Sequence, residues 1–493
     1  MKEHRAVAIE ERAELASPWR LRHAFGESSF VLLENPGFPS ELGRWAILAG
    51  DPFLVFRSKR ERVEVGPPGA LEPVAGAPLD VLAGLFERYR GHERVWRPGM
   101  PPFVAGVVGY LGYELLYSLE PTVPDQGEDD HAVPDAYLLF CGSTVAVDLE
   151  TGRGFLITQA FAPSRTEAEA RANAALRSLA ARVATPLPEL DGDELRRLRD
   201  QRRQARPRLD ERDVRAAGFT PRVSRDRYLD IVRAAKDHIL QGDLSEVCTT
   251  QRFDTRWTGD GAHLYEVLRA VNPAPFAAYL RFPEVEVMSS SPERFVRLDR
   301  EGWAETRPIK GTRPRGATPE EDALLKRDLE TALKDRAENV MIVDLCRNDL
   351  GRVCRFGSVH VPELLKVETH PFTFQLVSTV VGQMNEGLGP IDLIRAAFPG
   401  GSMTGAPKVQ AMKVIDSLEP VKRGVFSGSI GYIDAEGAMD LSIVIRTFVK
   451  RGDFLSFHVG GAIVSDSDPA EEYQETLDKA YGLISAFELA VTG

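Results

Sequence analysis

The stretch Phe103-Val104-Ala105-Gly106-Val107-Val108-Gly109-Tyr110-Leu111-Gly112-Tyr113 is apolar yet repeatedly interrupted by glycine. That combination suits tightly packed strands and bends, where one backbone passes close to another. Short β-like runs separated by turns fill the region from residue 1 to about 185. Phe30-Val31-Leu32-Leu33-Glu34 and residues 45–50 read as strands, and residues 138–140 and 144–147 add more sheet. Residues 165–184, rich in Ala, Arg and Glu, are predicted to be helical. Residues 186–216 are charge-dense and poor in apolar side chains, and read as a linker, partly disordered or an exposed helix. From 217 to 493 the pattern is more regular. Helices are expected at 225–241, 324–345, 409–418 and 469–489, with strands at 246–253, 276–287, 424–433, 440–450 and 454–464.

At 493 residues the chain is long enough for two or three ordinary domains and a large core. Its net charge of −12 argues against nucleic acid as the main partner, which would call for a basic face. No apolar run is long enough to span a bilayer, and Met1-Lys2-Glu3-His4-Arg5 leads into mixed charge, so a cytoplasmic protein without membrane contact is expected. Cys141, Cys248, Cys346 and Cys354 form no C-x-x-C pair and no metal-ligand spacing, so reduced thiols are expected.

Chemistry concentrates in the second half. In Pro308-Ile309-Lys310-Gly311-Thr312 a lysine is boxed between a proline and a Gly-Thr turn. Such an amine is a nucleophile if burial or a neighbouring charge lowers its pKa, and otherwise a solvated loop lysine paired with an acid. Asp335 and Glu338 stand at i and i+3 of one expected helix, and Glu472, Glu475 and Lys479 at i, i+3 and i+7 of another. Those spacings place each set on one stripe. Two facing acidic stripes would hold Mg²⁺, although such acids more commonly line solvated faces. Asp335-Arg336-Ala337-Glu338-Asn339 runs directly into the apolar Val340-Met341-Ile342-Val343, so a carboxylate there points toward a site. Pro399-Gly400-Gly401-Ser402-Met403-Thr404-Gly405-Ala406-Pro407-Lys408 precedes a helix and leaves backbone N–H groups free for an anion. Arg446 ends a β-branched run and needs a partner, either an internal acid or a ligand carboxylate.

Taken together, these segments resemble the chorismate aminases, the family containing anthranilate synthase component I and 4-amino-4-deoxychorismate synthase component I. The resemblance covers nearly all of residues 220–490 and is looser before that. It implies an α+β fold, an α/β/β/α sandwich of two large, mostly antiparallel sheets flanked by helices. Within the family the third residue of the Pro-Ile-Lys-Gly-Thr loop sorts the products, and a lysine there goes with aminodeoxychorismate formation through a covalent intermediate. Lys310 would attack carbon 2 of chorismate, and Gly311 and Thr312 would contact substrate. Ser291-Pro292-Glu293-Arg294-Phe295 matches the segment carrying the general acid, so Glu293 would protonate the leaving hydroxyl and needs a raised pKa. Glu338 and Glu475 would bind Mg²⁺ directly, with Asp335 and Glu472 acting through water. Ser402 and Gly401 would line the pocket, Arg446 and Lys479 would hold substrate carboxylates, and Gly460 and Gly461 would admit the ligand to the backbone.

Ammonia would then add at carbon 4 and expel Lys310, giving 4-amino-4-deoxychorismate for p-aminobenzoate and folate synthesis. The alternative is an anthranilate synthase large subunit, which makes anthranilate and pyruvate. None of the four cysteines sits on a Gly-flanked elbow, so ammonia would come from a separate glutamine amidotransferase subunit or from solution. Two positions depart from the family pattern. Gln375 replaces a His, which fits a pyruvate-eliminating enzyme poorly. Glu246 stands where many members have Gln and where isochorismate and salicylate synthases place a base lysine.

Overall fold

In the computed structural model of the chain, residues 4–36, 42–90, 94–190, 192–204, 208–370 and 373–492 are described. Alternation along single strands defines the layers. Strand Gly106–Leu111 turns Val107 and Leu111 to one face and Val108 and Tyr110 to the other. Its antiparallel neighbour Ala136–Asp148 divides Ala136, Leu138 and Phe140 from Tyr137, Leu139 and Cys141 in the same way. A two-residue period with both faces apolar describes a sheet buried on both sides. On the opposing sheet, Phe30 and Leu32 face one way and Val31 the other, as do Tyr279 against Ala278 and Leu280.

Val31, Val108, Leu139, Ala278 and Leu280 therefore share one inner cluster, where sheet packs on sheet. Outside one sheet lie helices Arg225–Leu240, Gly261–Val271 and Pro469–Thr492. Outside the other lie Pro78–Tyr89, Leu333–Gly351 and Pro390–Ala397. This is the expected α/β/β/α sandwich. Segments from both ends of the chain interleave: Phe30–Glu34 pairs with Phe276–Arg281, and Gly106–Leu111 with Ser429–Asp434. Among the described residues no helix is long and apolar enough to cross a membrane.

Several expected elements are subdivided. The helix expected over 324–345 is two, Pro319–Thr331 and Leu333–Gly351, separated by extended Ala332. Leu329 is anchored with Phe374 and Leu376, and in the last turn of the first helix Thr331 Oγ1 donates back to the Arg327 carbonyl at 2.9 Å. Apolar periodicity continues across the break, so the pattern alone does not show it. The strand expected over 276–287 is a hairpin, Phe276–Arg281 and Glu286–Ser291, with Pro283 in its turn. The strand expected over 440–450 is Met439–Ile443 and Thr447–Arg451, divided by Arg446 at φ +54°. The charged segment expected as a linker contains helices Gly192–Gln204 and Glu211–Ala216, with Leu198, Leu209 and Val214 in the core. Glu34 is buried, accepting hydrogen bonds from Tyr265 Oη (2.8 Å) and Arg269 Nε (2.6 Å).

Gly109 has φ +149°, and a Cβ there would lie 2.1 Å from the Tyr137 carbonyl oxygen across the strand pair. Gly109→Ala should lower stability by about 3 kcal/mol, combining strain with lost pairing. Gly84→Ala, in helix Pro78–Tyr89 with open space around it, should instead be neutral or slightly stabilising. Thermal unfolding of the two variants checks the contrast, and equal midpoints would refute it.

Candidate active site

Lys310 lies on strand Ile309–Pro314, paired to Thr373–Gln383. The register slips inside the motif: Ile309 faces Val377 and Thr312 faces Gln375, so Lys310 and Gly311 together oppose one residue. Gly311 supplies the left-handed conformation at φ +85° that such a bulge uses. A Cβ at Gly311 would come within 2.9 Å of Asp335 Cγ and Leu329 Cδ1. The bulge re-aims the lysine inward, and its side chain is only 10% exposed.

Lys310 Nζ donates to Glu246 Oε1 at 2.6 Å. Burial alone would lower the amine's pKa, but the charges of Glu246 and Glu338 outweigh it and hold the amine above its ordinary value. The neighbours are acids rather than cations, so Lys310 rests as an ammonium and not as the low-pKa amine considered from sequence.

Glu293 follows strand Glu286–Ser291. The Glu293 N–H donates to Ser291 Oγ at 3.3 Å, and its carbonyl accepts from Ile443 N at 3.0 Å. Burial pushes its carboxyl up to about 7, against hydrogen bonds from Ser402 and the Ile309 backbone and the Lys310 charge. An acid that keeps its proton near neutrality is what the sequence called for. Glu293, Gly401 and Ser402 line a narrow cavity of about 20 Å³ with Thr306, Pro308 and Cys346. The 401–406 loop is clamped to the strand bearing Glu246: Ser245 N donates to Ala406 O at 2.7 Å and Cys248 N to Thr404 O at 2.8 Å.

The two acidic helices do face each other. Glu338 and Glu472 both lie near Lys334 Nζ, at 3.9 and 3.6 Å. Burial raises the Glu338 carboxyl to about 7. Lys479 Nζ binds Glu475 Oε1 at 2.6 Å and the Gly460 carbonyl at 2.7 Å. Arg446 reaches the same helix and donates to the Lys479 carbonyl. Gly460 lies so close to Thr249 O that no side chain would fit, whereas a Cβ on Gly461 would point at the Glu472 and Glu475 carboxylates at 3.0 and 3.6 Å. Asp335 is engaged by Arg313 at 2.9 Å, and Thr312 is exposed. Gln375 is buried beside this strand pair with Oε1 lacking a protein partner.

The model of the chorismate-binding enzymes matches residues 59–485. The chain belongs to that family. It is 46% identical over 406 residues to an aminodeoxychorismate synthase of Streptomyces pristinaespiralis, covering 80% of this chain and 52% of the relative. The chain thus spans about half the length of that relative. It is 36% identical over 464 residues to anthranilate synthase component 1 of Aquifex aeolicus strain VF5, covering 93% and 89% of the two chains. The crystal structure of anthranilate synthase component I from Streptococcus pneumoniae TIGR4 superposes with a TM-score of 0.73 at 29% identity, over 91% of this chain and 93% of that one.

Sequence reasoning missed two contacts in this family member. Glu246 was a departure without a role, yet it touches Lys310; an acid opening a strand buried over its first nine residues was the available signal. Lys334 was passed over because its place between the helices depends on tertiary packing. Gly311→Ala should lower stability by about 2 kcal/mol, because φ +85° strains a side chain and its Cβ meets Asp335 and Leu329. An unchanged thermal unfolding midpoint would mean that the bulge takes a side chain without strain.

Proposed function

We propose that the chain catalyses amination of chorismate with ammonia to 4-amino-4-deoxychorismate, through a covalent adduct on Lys310. The observation that carries this reading is a buried amine, aimed inward by a bulge, sharing its charge environment with a buried glutamic acid that keeps a proton near neutral pH. Lys310 supplies the nucleophile at carbon 2. Glu293 supplies the proton with which the 4-hydroxyl departs as water. Ammonia then adds at carbon 4 and expels Lys310. Arg446 and Lys479, joined at one helix, bind and orient the substrate carboxylates, and the backbone around Gly401 and Ser402 closes the pocket.

Mg²⁺ is part of the proposal. The carboxylates of Glu338, Glu472 and Glu475 suit a hard cation. A cationic Lys334 between the helices and a buried Glu472 oxygen without a protein partner indicate that positive charge is favoured there. Among the described residues no three acidic, His or Cys side chains converge as a ready metal cage. When bound, Mg²⁺ would neutralise the ring carboxylate and act as a Lewis acid toward the leaving hydroxyl. Glu338 and Glu475 are the proposed direct ligands, with Glu472 assisting through water. Asp335, already paired with Arg313, acts through that arginine or through water. Ammonia is proposed to come from a separate glutamine amidotransferase, and the product to serve p-aminobenzoate and folate synthesis.

Anthranilate synthesis is the second reading, favoured by the near full-length similarity to anthranilate synthase component 1. Product identification decides. With chorismate, Mg²⁺ and ammonium, the chain should yield aminodeoxychorismate without anthranilate, and Lys310→Ala should lose at least about 100-fold in rate. Anthranilate and pyruvate from the unmodified chain would sink the first reading. With free ammonia held constant, kcat should fall about tenfold per pH unit above about 7, because Glu293 works protonated. Glu293→Gln should be slower and lack that descending limb; an unchanged limb would assign it to another group.

A further inference from the structure

The ammonium state of Lys310 poses a problem for its proposed role: a protonated amine has no lone pair with which to attack. Some group must take the proton, and Lys310, only 10% exposed, has little access to bulk water for this. Glu246 is in hydrogen-bond contact with Nζ, at 2.6 Å. Its side chain is essentially unexposed, at 1%. Its second oxygen, Oε2, is buried and has no protein partner.

The backbone fixes this carboxylate as firmly as the bulge fixes the lysine. Glu246 opens strand Glu246–Arg256 and pairs with Ala406, while a Cβ on Gly405 would lie 2.0 Å from the Glu246 carbonyl oxygen. The neighbouring Ser245 and Cys248 amides are tied to the same loop. One carboxylate oxygen is thus on the amine while the other is unengaged by protein.

We propose that Glu246 is the general base for Lys310, receiving the Nζ proton as the carbon–nitrogen bond forms and returning it when the lysine is expelled. This rests on the proposed covalent route. In the forward step the proton passes to Glu246 and the freed Nζ pair forms the bond to carbon 2. The ring double bonds shift, the carbon 4–oxygen bond breaks with its electron pair, and the hydroxyl takes the Glu293 proton and leaves as water. In the second step ammonia bonds to carbon 4, and the carbon 2–nitrogen pair returns to Lys310. Glu246 then gives its proton back, restoring ammonium and carboxylate. Glu293 regains a proton from solvent.

The test follows adduct formation by intact-protein mass spectrometry, after mixing with chorismate and Mg²⁺ in the absence of ammonia. Glu246→Gln should form the adduct about 100-fold more slowly or worse, with the chorismate KM changed only a few-fold. Glu246→Asp should recover a large part of the rate, and added formate should accelerate Glu246→Ala. A purely structural role would show in thermal unfolding and not in the rate of adduct formation at matched stability. Equal rates in Glu246→Gln and the unmodified chain would overturn the proposal, as would a loss that neither Asp nor formate repairs. If Glu246→Ala fails to fold, the Gln and Asp variants carry the decision, with thermal unfolding confirming their integrity. A different failure marks the underlying reading: no adduct in the unmodified chain and full turnover in Lys310→Ala would remove the covalent route, and this base with it.

Discussion

Charges buried in pairs constrain this protein more than any other interaction. In Lys310 with Glu246, Arg423 with Glu419, and Arg294 with Asp440 and Glu305, the basic side chain is largely withdrawn from water. Each would be costly alone and is tolerated because partners and hydrogen bonds are in place. Arg423 illustrates the reach of such a pair. Besides Glu419 it donates to the carbonyls of Cys248 and Met403, both at 2.8 Å, and Glu419 accepts from Thr250 N. One ion pair thereby joins the strand that carries Glu246 to the loop that carries Ser402.

The sheets serve those charges. Close backbone approach at Gly405 and Gly460 brings the loop and the neighbouring strand onto the strand bearing Glu246. The bulge at Lys310 and Gly311 breaks the strict alternation of its strand where an inward amine is needed. The same neighbourhood shifts two glutamic acids in opposite directions. Glu293, in a closed cavity, retains a proton near neutrality, whereas Glu475, beside Lys479, is pushed below its usual value.

Much of this was legible in the sequence. The individual strands and the two acidic stripes were visible because those signals are local and periodic, whereas the sandwich was implied by the family resemblance and not by periodicity. Arg446 was expected to meet an internal acid or a ligand carboxylate, whereas the structure has it donating to the backbone carbonyl of Lys479. What stayed hidden was non-local. The break at Ala332 follows from Leu329 docking on Phe374 and Leu376, distant in sequence. The protonation of Lys310 depends on Glu246, 64 residues away, and nothing in the Pro-Ile-Lys-Gly-Thr motif announces an acid there.

The interleaving of the sheets also governs how the chain reaches this state. Gly106–Leu111 has its second partner only at Ser429–Asp434, and Phe30–Glu34 has its own at Phe276–Arg281. During synthesis the early strands emerge long before those partners, so their outer edges and the apolar face around Val108 and Leu139 await completion. Long-range pairing of this kind slows folding. Residues 429–434 thus complete the sheet as well as contributing to it, and a nascent chain that has not reached them carries an open edge ready to pair with another copy.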